Sequence, residues 1–104
     1  MAAPKPEPKT KILIVEDEVA IVTLLRYNLE KEGYQVIATG DGEEAVNLVK
    51  EHRPDIIVLD WMLPGMTGVE VCKHIRWTQE VKNTPIIMLS ARGEEGDRIR
   101  GLDS

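Results

Sequence analysis

Four consecutive apolar residues, IIVL at positions 56–59, constrain the fold of this chain more than any other feature. Such a run has no polar face, so it suits a strand of a parallel sheet that helices cover on both sides. Asp60 follows the run directly. Because open α/β sheets bind ligands at the carboxyl ends of their strands, Asp60 is a candidate functional residue. Taken alone, it could equally be the cap of a turn or a helix.

Two further apolar runs predict neighbouring strands, ILIV at positions 12–15 and IIML at positions 86–89, with a shorter strand at 34–38. The segments between the strands repeat apolar residues at helical spacing. The first helix should end at Gly33, because glycine readily adopts the left-handed conformation of a helix stop. The predicted buried face of this helix carries Ile21, Leu24, Leu25 and Leu29. Alternating strands and helices indicate a doubly wound α/β fold with a parallel sheet.

Polar residues mark the predicted starts of the next two helices. Asp41 with Glu44, and Thr67 with Glu70, have the three-residue spacing of capping boxes. In a capping box each side chain accepts a hydrogen bond from the other residue's backbone N–H, which satisfies groups that the helix leaves free. We expect Trp77 to pack at the end of the helix that Thr67 begins.

Composition limits the kind of protein. The 104 residues suffice for one domain, and 42% apolar content can form its core. A net charge of −5 argues against nucleic-acid binding by this segment alone, and no apolar run is long enough to span a membrane. Cys72 is the single cysteine, which fits a reducing cytoplasm. Residues 1–10, with prolines at 4, 6 and 8, should form a flexible tail before a domain at 11–104.

Three acidic residues and a hydroxyl follow different predicted strands. Glu16 and Asp17 end the first strand, Asp60 ends the third, and Ser90 ends the fourth. With the strand order 2-1-3-4-5 these side chains would surround one cleft. Carboxylates ~4 Å apart repel each other by about 4 kcal/mol at an effective dielectric constant of 20. Such a cluster favours a hard cation such as Mg²⁺, although three independent caps remain the alternative.

Three motifs carry a resemblance to a known family. They are IVEDE at 14–18, LDWMLPG at 59–65 and MLSARGEE at 88–95. In this order the motifs resemble the receiver domain of bacterial two-component response regulators, in the winged-helix branch that includes phosphate-regulon regulators. The similarity extends from residue 11 to residue 104. It implies a flavodoxin-like doubly wound parallel sheet.

The resemblance also implies roles for individual residues. Asp60 would accept a phosphoryl group from a sensor histidine kinase, in a Mg²⁺-dependent reaction. Asp17, Asp60 and the backbone carbonyl of Met62 would hold the Mg²⁺, with Glu16 acting through a water. Two further residues follow the fourth strand, Ser90 as the switch hydroxyl that binds a phosphoryl oxygen and Ala91 as the small residue that leaves room beside it.

Receiver domains continue through a fifth strand with a Lys-Pro pair and a fifth helix, which this chain lacks after Ser104. The sequence is therefore expected to be part of a longer regulator. That regulator would form a homodimer when phosphorylated and bind DNA through a separate C-terminal domain. We also expect a loose fourth helix over residues 92–102, weakened by three glycines. Without a fifth strand, residues 86–89 should be an unpaired apolar edge.

Three other functions share parts of this sequence pattern. A haloacid-type phosphatase would need a second aspartate two positions after Asp60, where this chain has Met62. A flavodoxin-like cofactor binder would need a phosphate-binding loop after the first strand, and acidic residues 16–18 would repel a phosphate without a metal. The third is a pseudo-receiver that serves only as an interaction module. The acidic cluster argues against it, and the absent lysine of the fifth strand argues for it.

Overall fold

Strands and helices alternate along the chain as the apolar runs predict. The computed structural model describes residues 9–77, 83–89 and 99–100. The elements are β1 (Lys11–Val15), α1 (Val19–Lys31), β2 (Gln35–Thr39), α2 (Gly42–His52), β3 (Ile56–Asp60), β4 (Met62–Leu63), β5 (Met66–Thr67), α3 (Gly68–Arg76), β6 (Ile86–Leu89) and β7 (Ile99–Arg100).

The main sheet has the strand order β2-β1-β3-β6-β7. Its first four strands are parallel, so the predicted doubly wound order is confirmed for them. The register aligns their carboxyl ends: Val15 lies opposite both Thr39 and Leu59, and Asp60 lies opposite Leu89. The strand ends that carry acidic residues therefore meet at one edge of the sheet.

Helices pack on both faces of this sheet, and the two faces are covered to different degrees. One face packs against α2 and α3 and contains the larger set of buried side chains: Leu13, Val15, Ala45, Val49, Ile57, Leu59, Leu63, Val71, Cys72, Ile75, Ile86 and Met88. The other face packs against α1 and contains Ile12, Ile14 and Val36. There Ile56 and Val58 are only half-buried. Cys72 is a packed core residue, as its place in the helix suggests.

The predicted buried face of α1 is wrong at Leu24, which is 62% exposed. The residues of α1 that pack on the sheet are Val22, Leu25 and Leu29. At 100° per residue, Leu24 lies roughly 130° around the axis from the centre of that stripe. Helical spacing fixes which residues share a face, but the orientation of the helix on the sheet depends on tertiary packing.

The predicted helix starts are partly confirmed. Thr67 and Glu70 form the complete capping box at the start of α3. Asp41 caps α2 by accepting a hydrogen bond from the backbone N–H of Glu43, at 3.1 Å. The predicted pairing of Asp41 with Glu44 is wrong, because Asp41 accepts from Glu43 and the Glu44 carboxylate accepts its hydrogen bond from the Thr39 hydroxyl. Thr39 is within reach because β2 ends immediately before the turn.

Two predictions at the end of the chain need correction. Ile99 and Arg100 belong to strand β7, which pairs antiparallel with β6, rather than to a fourth helix. The rest of that predicted helix lies outside the described residues. The β6 edge is therefore paired at Met88 and Leu89, as an edge strand with free backbone groups favours. Trp77 is the C-cap residue that follows α3, and it is 87% exposed, so it does not pack at the helix end as predicted.

Among the described residues, no helix combines the length and the apolar character that crossing a membrane requires. The tail over residues 1–10 is described only at positions 9 and 10, which form neither helix nor strand.

Candidate functional site

Asp60 is the last residue of β3, and its side chain is 1% exposed. A backbone hydrogen bond to β6 holds the chain directly after Asp60, where the N–H of Trp61 donates to the carbonyl of Leu89 at 2.8 Å. The N–H of Met62 donates to Oδ1 of Asp60 at 3.4 Å. The strand thus delivers a buried carboxylate to the carboxyl edge of the sheet.

Glu16 and Asp17 follow β1 and face the same region. The N–H of Glu16 donates to the carbonyl of Thr39 at 2.9 Å, which extends the β1–β2 pairing by one bond. The Glu16 side chain is 4% exposed, and its Oε2 accepts a hydrogen bond from the N–H of Glu18 at 3.0 Å. Asp17 is exposed. One buried and one accessible carboxylate therefore leave β1 in succession.

The three carboxylates converge. Each of Glu16, Asp17 and Asp60 offers an oxygen that lies within 4.8 Å of the others. A set made only of oxygen donors suits a hard divalent cation such as Mg²⁺ rather than zinc. Mutual repulsion also favours a bound cation, since like charges at such distances cost several kcal/mol at an intermediate dielectric constant, about 4 at 4 Å. The residues present fit a Mg²⁺ site.

Two of the three carboxyl groups, those of Glu16 and Asp60, have raised pKa values. Burial is the main reason why the pKa of Glu16 is raised to about 6, and the negative charges of Asp60 and Asp17 add to it. The pKa of Asp60 is also raised, again chiefly by burial. Both carboxyl groups therefore bind a proton more readily than they would in water.

A small hairpin follows Asp60 and carries Met62. Strands β4 and β5 pair antiparallel, with Met62 opposite Thr67, and Gly65 in the turn has φ +78°. Glycine is needed there because this conformation is strained for other residues. The sequence shows the turn through Pro64-Gly65 but gives no sign of the hairpin pairing. Its consequence is that Met62 is held on a short, closed loop directly beside Asp60.

Thr39, the last residue of β2, also contacts the site, although the sequence analysis did not select it as a candidate. The carbonyl of Thr39 binds Glu16, and the Thr39 hydroxyl bonds Glu44 and the N–H of Asp41. Thr39 is 8% exposed. In the sequence, the only sign of these hydrogen bonds is a threonine directly after the apolar residues of the second strand.

Ser90 and Ala91, the predicted switch residues, lie outside the described residues. The preceding residue, Leu89, is opposite Asp60 in the β3–β6 register. Strand β6 thus leads the chain towards the acidic cluster.

Comparison with known proteins gives the family. Residues 12–104 match the response regulator receiver domain, so the chain belongs to this family. It is 53% identical, over 92 residues, to the phosphate regulon transcriptional regulatory protein PhoB of Rhizobium meliloti, covering 88% of this chain and 40% of that protein. It is 54% identical, over 93 residues, to the alkaline phosphatase synthesis transcriptional regulatory protein PhoP of Bacillus subtilis, covering 89% and 38%. The chain thus spans about two fifths of the length of these curated relatives.

Solved structures show the same fold. A chemotaxis protein of Vibrio cholerae superposes with a TM-score of 0.79 at 34% identity, covering 85% of this chain and 73% of that one. The receiver domain of a sensor histidine kinase of Pseudomonas aeruginosa superposes with a TM-score of 0.78 at 32% identity, covering 86% and 73%. That domain is described with a magnesium ion coordinated in its active-site cleft. The resemblance seen in the three sequence motifs is thereby confirmed.

Proposed function

We propose that this chain is the phosphoacceptor module of a response regulator, in which Asp60 receives a phosphoryl group from a histidine kinase. The observation that carries the proposal is the buried Asp60 at the end of β3, within 4.8 Å of the Glu16 and Asp17 carboxylates. This arrangement combines a nucleophilic carboxylate with the ligands of a hard cation. Membership of the receiver family supports the same role.

Phosphoryl transfer to Asp60 needs little acid or base catalysis. A carboxylate oxygen of Asp60 forms a bond to phosphorus while the bond between phosphorus and the imidazole nitrogen of the donor breaks. The leaving imidazole keeps the electron pair and takes up a proton. Mg²⁺, when bound, supplies the positive charge that the transferring phosphoryl oxygens require. Asp17, Asp60 and the carbonyl of Met62 would hold it, with Glu16 acting through a water.

Asp60 attacks only as the carboxylate, and burial raises its pKa and that of Glu16 in the chain without metal. A bound cation would favour the ionised forms of Asp60 and Glu16 and so keep the nucleophile charged.

We further propose how phosphorylation is read. Ser90 would bind a phosphoryl oxygen, and Ala91 would leave the space that this movement needs. In the complete regulator, phosphorylation would promote a homodimer, and a separate domain would bind DNA, as expected of a transcriptional regulator in the cytoplasm. The curated relatives support this proposal, because they are named as transcriptional regulatory proteins.

Acetyl phosphate labelling tests the phosphoacceptor role. With Mg²⁺ present, intact mass measurement should show the gain of one phosphoryl group, which hydroxylamine removes because an acyl phosphate is labile to it. Asp60→Asn should abolish the gain. Asp55→Asn is the matched control: Asp55 directly precedes the same strand at its other end, and asparagine keeps an oxygen for the N–H of Lys11.

If the chain is instead a pseudo-receiver, acetyl phosphate labelling should give a different result. An interaction module without phosphorylation would bind Mg²⁺ at its acidic cluster and gain no mass from acetyl phosphate. If Asp60→Asn and the unmodified protein are labelled equally, Asp60 is not the phosphoacceptor and the proposal is wrong.

A further inference from the structure

Gly68, the first residue of α3, lies directly behind the strand end that carries Asp60. It is buried, and its N–H donates to the carbonyl of Trp61 at 2.8 Å. A Cβ atom at Gly68 would lie 2.5 Å from the backbone oxygen of Asp60 and 3.1 Å from Cα of Trp61. Both are backbone atoms, which cannot rotate away as a side chain can. Any side chain at this position must therefore displace the chain at Asp60.

Gly40 lies similarly close to Asp17, which follows β1. It follows β2, and a Cβ atom there would lie 3.1 Å from Cα and 3.3 Å from Cβ of Asp17. These distances are tighter than ordinary van der Waals contact, so Asp17 would have to move by a few tenths of an ångström. The contact is less severe than that at Gly68, and it again falls on the residue that presents a carboxylate.

Backbone conformation does not explain either glycine. The φ angles of Gly40 and Gly68 lie outside the left-handed region, in contrast to Gly33 and Gly65. Other residues could adopt the backbone of these two positions without strain. What the positions require is the absence of a side chain, and the space concerned borders Asp17 and Asp60.

We propose that Gly40 and Gly68 are positioning residues that set the separation of the Asp17 and Asp60 carboxylates required for cation binding. This inference rests on the proposed Mg²⁺ site. Mg²⁺ demands nearly octahedral ligands at about 2.0–2.1 Å, so displacements of a few tenths of an ångström weaken its binding. The close approach of the loop after β2 to Asp17, and of the start of α3 to Asp60, holds the two carboxylates at a fixed distance.

Gly42 provides the matched control, because it is crowded by different atoms, to a degree between those of Gly40 and Gly68. A Cβ atom at Gly42 would lie 2.8 Å from Cγ2 of Val71 and 3.1 Å from Sδ of Met66. Both are side-chain atoms, one from α3 and one from β5. Gly42→Ala should thus strain the core and leave the carboxylates in place.

The experiment is a Mg²⁺ titration followed by Trp61 fluorescence. Trp77→Phe serves as the background, because it removes the second tryptophan at an exposed position and leaves Trp61 as the single reporter. In this background Gly68→Ala should weaken Mg²⁺ binding roughly 10-fold to 100-fold, the range seen when residues supporting metal ligands are changed. Gly40→Ala should weaken it by less, about 3-fold to 10-fold, because its contact with Asp17 is less severe than the contact at Gly68. Gly42→Ala should change affinity less than about twofold while it lowers the melting temperature.

The pattern among the variants decides the outcome. Equal loss of affinity in Gly42→Ala and Gly68→Ala would show a general effect of destabilisation and overturn the inference. Affinity like that of the unmodified chain in both Gly40→Ala and Gly68→Ala would also overturn it. If Gly68→Ala does not fold, the comparison of Gly40→Ala with Gly42→Ala decides. Absence of Mg²⁺ binding by the unmodified chain would instead contradict the proposed metal site itself.

Discussion

Asp55 and Asp60 lie at opposite ends of the same strand, and their surroundings differ. Asp55 is exposed, and its carboxylate accepts the N–H of Lys11 at 2.8 Å while the Asp55 N–H donates to the Lys11 carbonyl. The Lys11 ammonium is bound in turn to the carbonyl of His52. Asp60 is buried beside two further carboxylates. The acid at the amino end of β3 is thus exposed and hydrogen-bonded to a neighbouring strand, whereas the acid at the carboxyl end is buried in a cluster of like charges.

This difference separates a region that has little effect on stability from one that lowers stability and can bind a cation. Exposed charges with satisfied hydrogen bonds have little effect on folding, usually less than about 1 kcal/mol. Buried like charges oppose folding until a proton or a cation neutralises them. The two ends of β3 should therefore respond in different ways to metal, to pH and to the same substitution.

The largest expected difference concerns Mg²⁺ binding. Asp60→Asn removes a charged ligand and should weaken Mg²⁺ binding by about 100-fold or more, whereas Asp55→Asn should leave it unchanged. Trp61 fluorescence reports the titration because this residue directly follows Asp60. Unchanged Mg²⁺ affinity in Asp60→Asn would show that the acidic cluster is not the metal site.

Sequence reasoning predicted the acidic cluster at the carboxyl end because its signals are local. The apolar runs at 12–15 and 56–59 each lead directly into acidic residues, and parallel pairing brings the ends of β1 and β3 together without knowledge of any distance. The capping box of Thr67 and Glu70 was predicted for the same reason, since both partners lie within one turn. A motif order shared with a known family then assigned roles to the acidic residues.

Features that depend on tertiary distances could not be predicted. The orientation of α1, which exposes Leu24, depends on how the helix lies on the sheet. The antiparallel return of β7 depends on an edge of β6 that exists only in the folded sheet. The crowding at Gly40 and Gly68 likewise involves atoms of other elements. Glycine in a sequence indicates a turn, and the structure is needed to show a close contact.

The next largest expected effect is on how the free energy of unfolding depends on pH, and it follows from the raised pKa of Glu16. The pKa is about 6 in the folded chain against an ordinary value of 4.5. Between these values the folded state binds more protons than the unfolded state, so the free energy of unfolding decreases as pH rises from about 4.5 to 6. The raised pKa of Asp60 acts in the same direction. We expect a loss on the order of 1–2 kcal/mol without metal.

Urea denaturation at a series of pH values measures this loss. Glu16→Gln should flatten the curve over the same interval, because it removes the main titrating group. Saturating Mg²⁺ should also reduce the loss, since a cation stabilises the ionised carboxylates. Stability that rises from pH 4.5 to 6 without metal would contradict the assigned pKa of Glu16.

The smallest expected effect is a difference in the free energy of unfolding between the Asp60 and Asp55 variants without metal. Asp60→Asn removes one of the buried like charges and keeps an oxygen for the N–H of Met62, so it should raise the free energy of unfolding by about 1 kcal/mol at pH 7. Asp55→Asn should change it by less than about 0.5 kcal/mol. Saturating Mg²⁺ should reverse the order, because only a chain with Asp60 gains the full binding energy. Equal stabilities of the two variants at pH 7, with and without Mg²⁺, would show that the ends of β3 do not differ as the structure indicates.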